Sequence, residues 1–391
     1  MRAPQVMNRQ RKISERLALE TRLFMQLGMM ISFVFTAISS LLPWKRINKS
    51  TYLMIEAGRI GWTSVFYNEL RGSAADYVGQ DKVVISSIDR TKSYLGQSIV
   101  NLIQIRPTHF IYDPRTGSQQ SFGAITQSIV LAIVLSLLRV TPIVILTDAS
   151  VRQWRYQVFL ITARRGVVIT FLKPSEMGGL IPHKRVIGPM FMPISISTLT
   201  NLEKMRKSLS VNVDSRSNVH FLGSLYSKRV VFFDALQSKL HANGSKATVK
   251  VQGKSDEIGP YAYWEKMVQS ESVITTTFQE RDPSYVQDLL EIDQMVFRVS
   301  ESLAAGCLLF SSIAPGMEKY FIPDTDFVAY QSVVDLADKM EYYSQDIRSA
   351  NRIASQGHNT YRKLILDGEF WKQIDTCLEK PLKIMKAEED A

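Results

Sequence analysis

The sequence predicts an α/β protein: two facing Rossmann-like domains with an N-terminal hydrophobic helical extension. Three observations carry this. Beyond residue 50, short β-branched runs alternate with longer helical stretches, the pattern of parallel sheets covered by helices. The alternation lapses around residues 174–217, with Pro174, Gly178-Gly179, Pro182, Gly188-Pro189, Pro193 and a polar run ending in Asp214–Asn218, and then resumes. The 391 residues, 45% of them hydrophobic, suffice for two or three domains with large cores. The expected organisation is a basic and hydrophobic segment over 1–50, a first Rossmann-like domain over 51–195 and a linker over 196–217. A second domain over 218–370 and a C-terminal helix and tail over 371–391 complete it.

The first element is the uncharged run Leu23–Leu42, bounded by Arg22 and by Lys45-Arg46. Twenty residues reach the length of a membrane span, but Gln26, Gly28, Ser32, Thr36, Ser39 and Ser40 dilute its apolarity. The long positive segment before it, with Ile13, Leu17, Phe24 and Leu27 at helical spacing, reads as a basic amphipathic helix and argues against a cleaved signal. Three readings compete: an interfacial helix, a true span, and a helix packed on the protein itself.

In the first domain the expected strands are Thr51–Glu56, Lys82–Ile88, Thr108–Tyr112, Pro142–Leu146 and Val167–Phe171. The apolar run Ile129–Leu138 is too short to span a bilayer and lies between two of these strands, where a doubly wound sheet needs a buried helix. The second domain repeats the pattern with Val219–Gly223, Ala247–Gly253, Ser272–Phe278, Cys307–Ser311 and Phe327–Tyr330. Helices are expected over Tyr263–Ser270, Gln294–Ala305 and Val333–Ser344. Two such sheets facing each other form a cleft at the carboxyl ends of their strands, where ligands bind.

Charge is unevenly spread. Residues 1–200 carry 24 basic and 10 acidic side chains, a net of +14, and residues 201–391 carry 23 and 27, a net of −4. An anionic partner therefore meets the first half, and an anionic membrane surface fits the hydrophobic segment beside it. No nucleic-acid motif or basic-aromatic interleaving accompanies the charge, so no nucleic-acid partner is expected. The two cysteines, Cys307 and Cys377, and the five scattered histidines offer no metal-ligand spacing. No metal and no cofactor is expected, in a cytoplasmic, reducing compartment.

The most informative stretch is FRVSESLAAGCLLF, Phe297–Phe310. It places Arg298 and Glu301 on one helical face, with the small residues Ala304, Ala305 and Gly306 packing the helix tightly before a buried strand. A cation and a carboxylate at a strand-end cleft suit a nucleotide, the cation facing phosphate and the carboxylate accepting from ribose hydroxyls. A surface ion pair is the plainer alternative for the two residues alone.

This stretch resembles the donor-binding signature of group 1 type glycosyltransferases of GT-B fold, R-x-x-E-x-x-A-x-G, here Arg298, Glu301, Ala304 and Gly306. The resemblance extends from FLGSLYSKR (Phe221–Arg229) through Tyr263-Trp264 to DIRSANRIASQGHNTYRKL (Asp346–Leu364), and covers about residues 218–370. It implies a nucleotide-sugar donor held by Glu301, Arg298, Lys228, Arg229, Gly223 and Gly306, and a sugar passed to an unidentified acceptor. Lys228, Arg229 and Arg298 would offset the leaving diphosphate without a metal.

The chain departs from the family pattern in two places. Many retaining members carry Glu-x7-Glu, and the position eight before Glu301 is Asp293. Inverting members often place a His base in the first acceptor-domain loop, and EAGRIGW (Glu56–Trp62) has none. Asp293, Glu56 and Asp148 are the catalytic candidates, with Glu69 another acidic residue expected near a strand end. A catalytically inactive nucleotide- or sugar-binding protein in an assembly or at a membrane surface is the alternative. A dinucleotide enzyme is disfavoured, because neither EAGRIGW nor FLGSLYSKR supplies G-x-G-x-x-G.

Overall fold

The computed structural model describes residues 3–41, 51–56, 63–87, 94–112, 121–146, 166–171, 185–208, 218–223, 227–252, 260–276 and 294–379. A single continuous helix, α1 (Ala3–Leu41), opens the chain. The first sheet then forms from β1 (Tyr52–Glu56), β2 (Val83–Ser87), β3 (His109–Tyr112), β4 (Thr141–Leu146), β5 (Val167–Thr170) and β6 (Val186–Ile187). Its strand order is β2-β1-β3-β4-β5-β6, and every pairing is parallel. The linking helices are α2 (Thr63–Val78), α3 (Tyr94–Ile105) and α4 (Ser121–Leu138). Helix α4 contains the apolar run Ile129–Leu138 and crosses from β3 to β4 as a covering helix, as the sequence predicts.

The expected strands are present with shifts of one to three residues at their ends. The two-residue β6 has no counterpart in the sequence reading, because it falls within the Gly- and Pro-rich lapse and pairs only with β5. Residues 196–208, read as linker, form helix α5 (Ile196–Ser208), whose Leu199 and Leu202 are buried. This helix reads as polar because its apolar anchors are few, the buried Leu199 and Leu202 with Met205 packed beside them.

The second sheet, order β11-β10-β9-β7-β8, is also parallel. It comprises β7 (Asn218–Leu222), β8 (Thr248–Gln252), β9 (Ser272–Thr275), β10 (Leu308–Ser311) and β11 (Val328–Ala329). Its helices are α6 (Ser227–Ala242), α7 (Pro260–Gln269), α8 (Phe297–Ala304), α9 (Val333–Gln345), α10 (Ile347–Leu366) and α11 (Glu369–Glu379).

Strand periodicity sorts side chains into three cores. In β4, Val144 and Leu146 enter a core with α3 and α4, whereas Ile143 and Ile145 enter a larger core that spans both domains. In β9 and β10, Val273 and Leu309 join that shared core, and Ile274, Leu308 and Phe310 join the outer core under α6 and α9. The two domains are therefore packed on one another. Helix α11 returns to the first domain, where Trp371 Nε1 donates to Ser73 Oγ (3.2 Å) and Tyr77 Oη donates to Asp375 Oδ2 (2.8 Å).

Glu69 does not lie at a strand end. It sits within α2, buried, where Oε2 accepts from the Ser195 backbone N–H (2.9 Å) and Oε1 from Thr198 Oγ1 (2.9 Å). Burial raises its carboxyl above the ordinary range against these hydrogen bonds, and Trp264 of the second domain donates to it as well. Its place is a polar tie between the domains, not a base at the mouth of the first sheet.

Candidate functional site

The parallel register directs the carboxyl ends of β7, β9, β10 and β11 to one edge of the second sheet, and the site is built there. Helix α8 runs from that edge toward the amino end of β10, so its first turn, with Arg298 and Glu301, lies at that edge. Arg298 Nε lies 3.1 Å from Glu301 Oε2, the i,i+3 pair expected from the spacing. Tyr263 of α7 donates its hydroxyl to the same oxygen, and the Arg298 guanidinium lies 5.8 Å from the Tyr263 ring centroid. Burial holds the Tyr263 phenol well above its ordinary value; the Glu301 carboxylate adds to this and Arg298 opposes it, so Tyr263 stays a donor. Among the described residues no hydrogen bond reaches Glu301 Oε1, which leaves one oxygen of this buried residue open to accept.

Gly223 follows β7 directly. A Cβ there would stand 3.3 Å from Arg298 Nη1 and 3.2 Å from the Phe221 ring, so the absent side chain lets the guanidinium lie along the backbone. Arg229, in the first turn of α6, stacks over Phe221 at 5.5 Å and donates from Nε to Thr276 Oγ1 at the end of β9 (3.2 Å). Lys228 lies beside it in the same turn. Tyr330, just past β11, closes this edge by donating its hydroxyl to the Thr275 carbonyl (2.9 Å).

Glu301, Arg298, Gly223 and Arg229 thus share one edge of the second sheet. Gly306 lies apart from them: it follows α8 at φ +70, in the turn into β10, about 12 Å of helix away from Arg298. A Cβ at Gly306 would meet the Arg206 guanidinium at 3.3 Å, and Arg206 Nη1 donates to the Ala305 carbonyl (2.6 Å). Its placement explains the glycine as a left-handed turn and a close approach. Of the catalytic candidates, Glu56 ends β1 at the carboxyl edge of the first sheet. Asp148 and Asp293 lie outside the described residues.

The first domain grips α8 directly, which the sequence reading did not anticipate. Phe66 of α2 stacks on Phe297 (centroids 4.4 Å apart, planes at 5°), and Phe171 after β5 meets Phe297 edge-on at 4.7 Å. The Met295 N–H donates to the Phe171 carbonyl (3.1 Å) and the Met192 N–H to Ser300 Oγ (3.0 Å). Tyr361 of α10 donates to the Met192 carbonyl (2.6 Å). These contacts join residues more than a hundred positions apart, so no local pattern shows them. The one available signal is the buried Tyr263-Trp264 pair.

Residues 224–366 match the family model described as glycosyl transferase-like. No curated protein is matched by the sequence. Among solved structures the chain is similar to HepE of Anabaena in complex with UDP and glucose, at 14% identity and TM-score 0.54, covering 84% of this chain and 99% of that one. It is also similar to sucrose-phosphate synthase of Thermosynechococcus elongatus, at 10% identity and TM-score 0.53, covering 84% and 100%. A glycosyltransferase of Rickettsia africae aligns at 10% identity and TM-score 0.52, covering 84% and 98%. Two parallel α/β domains, with α11 returning to the first, are the GT-B fold, and the second domain is similar over residues 224–366 to the glycosyl transferase-like family.

Proposed function

We propose that the protein is a glycosyltransferase that moves a sugar from a nucleotide-sugar donor to an acceptor. The observation that carries this is Glu301: a buried residue held by Arg298 and Tyr263 through one carboxylate oxygen, with no hydrogen bond to the other among the described residues. In this reading Glu301 accepts from ribose hydroxyls, and Arg298, Arg229 and Lys228 face the diphosphate. In this reading these cations stabilise the charge that develops as the sugar departs, a task that needs no metal. The binding of UDP and UDP-glucose by HepE, a structural relative, supports a nucleotide-sugar donor. The acid–base group is drawn from Glu56, Asp148 and Asp293, and the domains work on the cytosolic side, peripherally at a membrane through residues 1–45.

Calorimetry against UDP-, GDP-, ADP- and CMP-sugars tests the donor site. Wild type is expected to bind one class, and Glu301→Ala to weaken that binding by about 1–3 kcal/mol. Unchanged affinity overturns the assignment. Turnover is expected to persist in EDTA, and among Glu56→Gln, Asp148→Asn and Asp293→Asn the variant lacking the base loses turnover while keeping donor affinity. Donor binding with no transfer to any acceptor, in wild type, favours the non-catalytic alternative.

A further inference from the structure

Helix α1 is apolar on the face that it turns away from the protein. Its outer face carries Leu19, Leu23, Leu27, Met30, Val34 and Leu41, all exposed, with Leu41 at 84%. At 3.6 residues per turn these six fall within about 80° of one another, a continuous apolar stripe. Its inner face is mixed. Gly28 and Ser39, which dilute the run in the sequence, are buried against the protein, and Phe24, Met25 and Ile31 pack into the core under α4. Of the residues that make the segment a weak span by composition, Gly28 and Ser39 thus face the protein, whereas Gln26 and Ser40 are exposed.

Its direction follows from two contacts. Arg139, just past the end of α4, donates from Nε to Ser39 Oγ (2.9 Å) and from Nη2 to the Ser39 carbonyl (2.7 Å), so the two helices end together. Phe24 and Met25 reach the same core further back, so α1 and α4 run parallel. Helix α4 starts at the carboxyl edge of the sheet, because it crosses between parallel strands β3 and β4. The backbone of α1 before about residue 20 therefore runs past that edge, and this part of the helix holds Arg9, Arg11, Lys12 and Arg16.

We propose that the outer face of α1 is a bilayer-docking surface on which the helix lies in the interfacial plane, with its basic first half against anionic headgroups beside the cleft end of the first domain. An apolar stripe of this length on a described surface calls for an apolar cover. The flanking cations select lipid over a second copy of the chain, which would bring charge of the same sign. A crossing helix would have to leave α4, breaking both Arg139 bonds and uncovering the core beneath. The inference deepens the membrane-surface reading above, rests on nothing in the donor site, and is tested without any transferase readout.

The experiment is flotation of the full chain with phosphatidylcholine vesicles, with and without phosphatidylglycerol. Wild type is expected to float with the anionic vesicles and less with the neutral ones. Met30→Glu combined with Val34→Glu, both at exposed positions, is expected to lower vesicle partitioning by at least about tenfold with unchanged Tm. Val231→Glu, at an exposed apolar position on α6, is expected to change nothing. Alkaline carbonate is expected to release the bound protein. Flotation of the double variant like wild type overturns the docking face, and resistance to carbonate overturns the in-plane placement. A wild-type dimer in vesicle-free solution that the double variant splits overturns lipid as the occupant.

Discussion

Helices α1 and α8 depart from the usual sorting of residues in opposite directions. Helix α8 buries Ser300, Glu301 and Ser302, whereas α1 exposes a stripe of leucine, methionine and valine. Buried polar groups and exposed large apolar patches are the informative departures from that sorting. In α8 the departure is partly answered from within, since Ser300 accepts from Met192 and Glu301 from Tyr263 and Arg298. What remains open there is one carboxylate oxygen, a place for a polar ligand. In α1 nothing among the described residues covers the stripe, which leaves room for an apolar environment and no polar one.

The comparison breaks most readily at Glu301. Glu301→Ala leaves Arg298 and Tyr263 without their shared partner inside the domain, and stability is expected to fall by about 3 kcal/mol, since removing one member of a buried ion pair strands the other. Chemical denaturation checks this, and Glu301→Gln is expected to fall less because the amide oxygen still accepts. A fall below about 0.5 kcal/mol, the scale of neutral surface changes, would mean that α8 carries an ordinary surface pair.

Gly357→Ala tests the far wall of α8. In α10 a Cβ at this position would stand 2.1 Å from the Asp326 carbonyl oxygen and 2.8 Å from Leu303 Cδ2, so backbone and helix must separate. A loss of about 2–3 kcal/mol is expected by overpacking, measured as a lowered denaturation midpoint. If donor affinity drops as well, α8 depends on α10 for its placement.

On the other side of the comparison, Ser39→Ala removes the acceptor of Arg139 Nε and is expected to lower stability by about 1–2 kcal/mol while leaving vesicle flotation intact. Loss of flotation with Ser39→Ala would show that lipid reads the inner face too. The smallest effect concerns Glu69. Its carboxyl is raised by burial, so its contribution to stability is greatest below the ordinary carboxylate range and is lost as pH rises through the raised value. Glu69→Gln is therefore expected to gain on wild type as pH rises from about 4 to 7. Parallel thermal melts across that range check the sign, and a widening advantage of wild type would reverse it.

Local chemistry made much of this molecule legible. Runs such as Pro142–Leu146 and Cys307–Ser311 are short, apolar and bounded by turn formers and helical stretches, so the strands and their parallel arrangement follow from length and spacing. The Arg298–Glu301 pair is legible because both residues lie within one helical turn. Residues 196–208 were not, because a helix with two buried leucines shows little amphipathicity of its own and is stabilised by two domains at once. Gly306 was grouped with the donor residues by its place in the signature, yet a short helix separates it from them.

By itself the sequence determined the α/β class, the two-domain division, the excess of cations in the first half and the helix that holds Arg298 and Glu301. These rest on composition and on neighbours within a few residues, which the chain carries wherever it folds. Tertiary structure alone decided which oxygen of Glu301 stays open, which domain grips α8 through Phe66 and Phe297, and which face of α1 points outward. Each of those depends on a partner distant in sequence, as Ser39 depends on Arg139 a hundred positions away, and a local pattern holds no information about which distant surface will meet it.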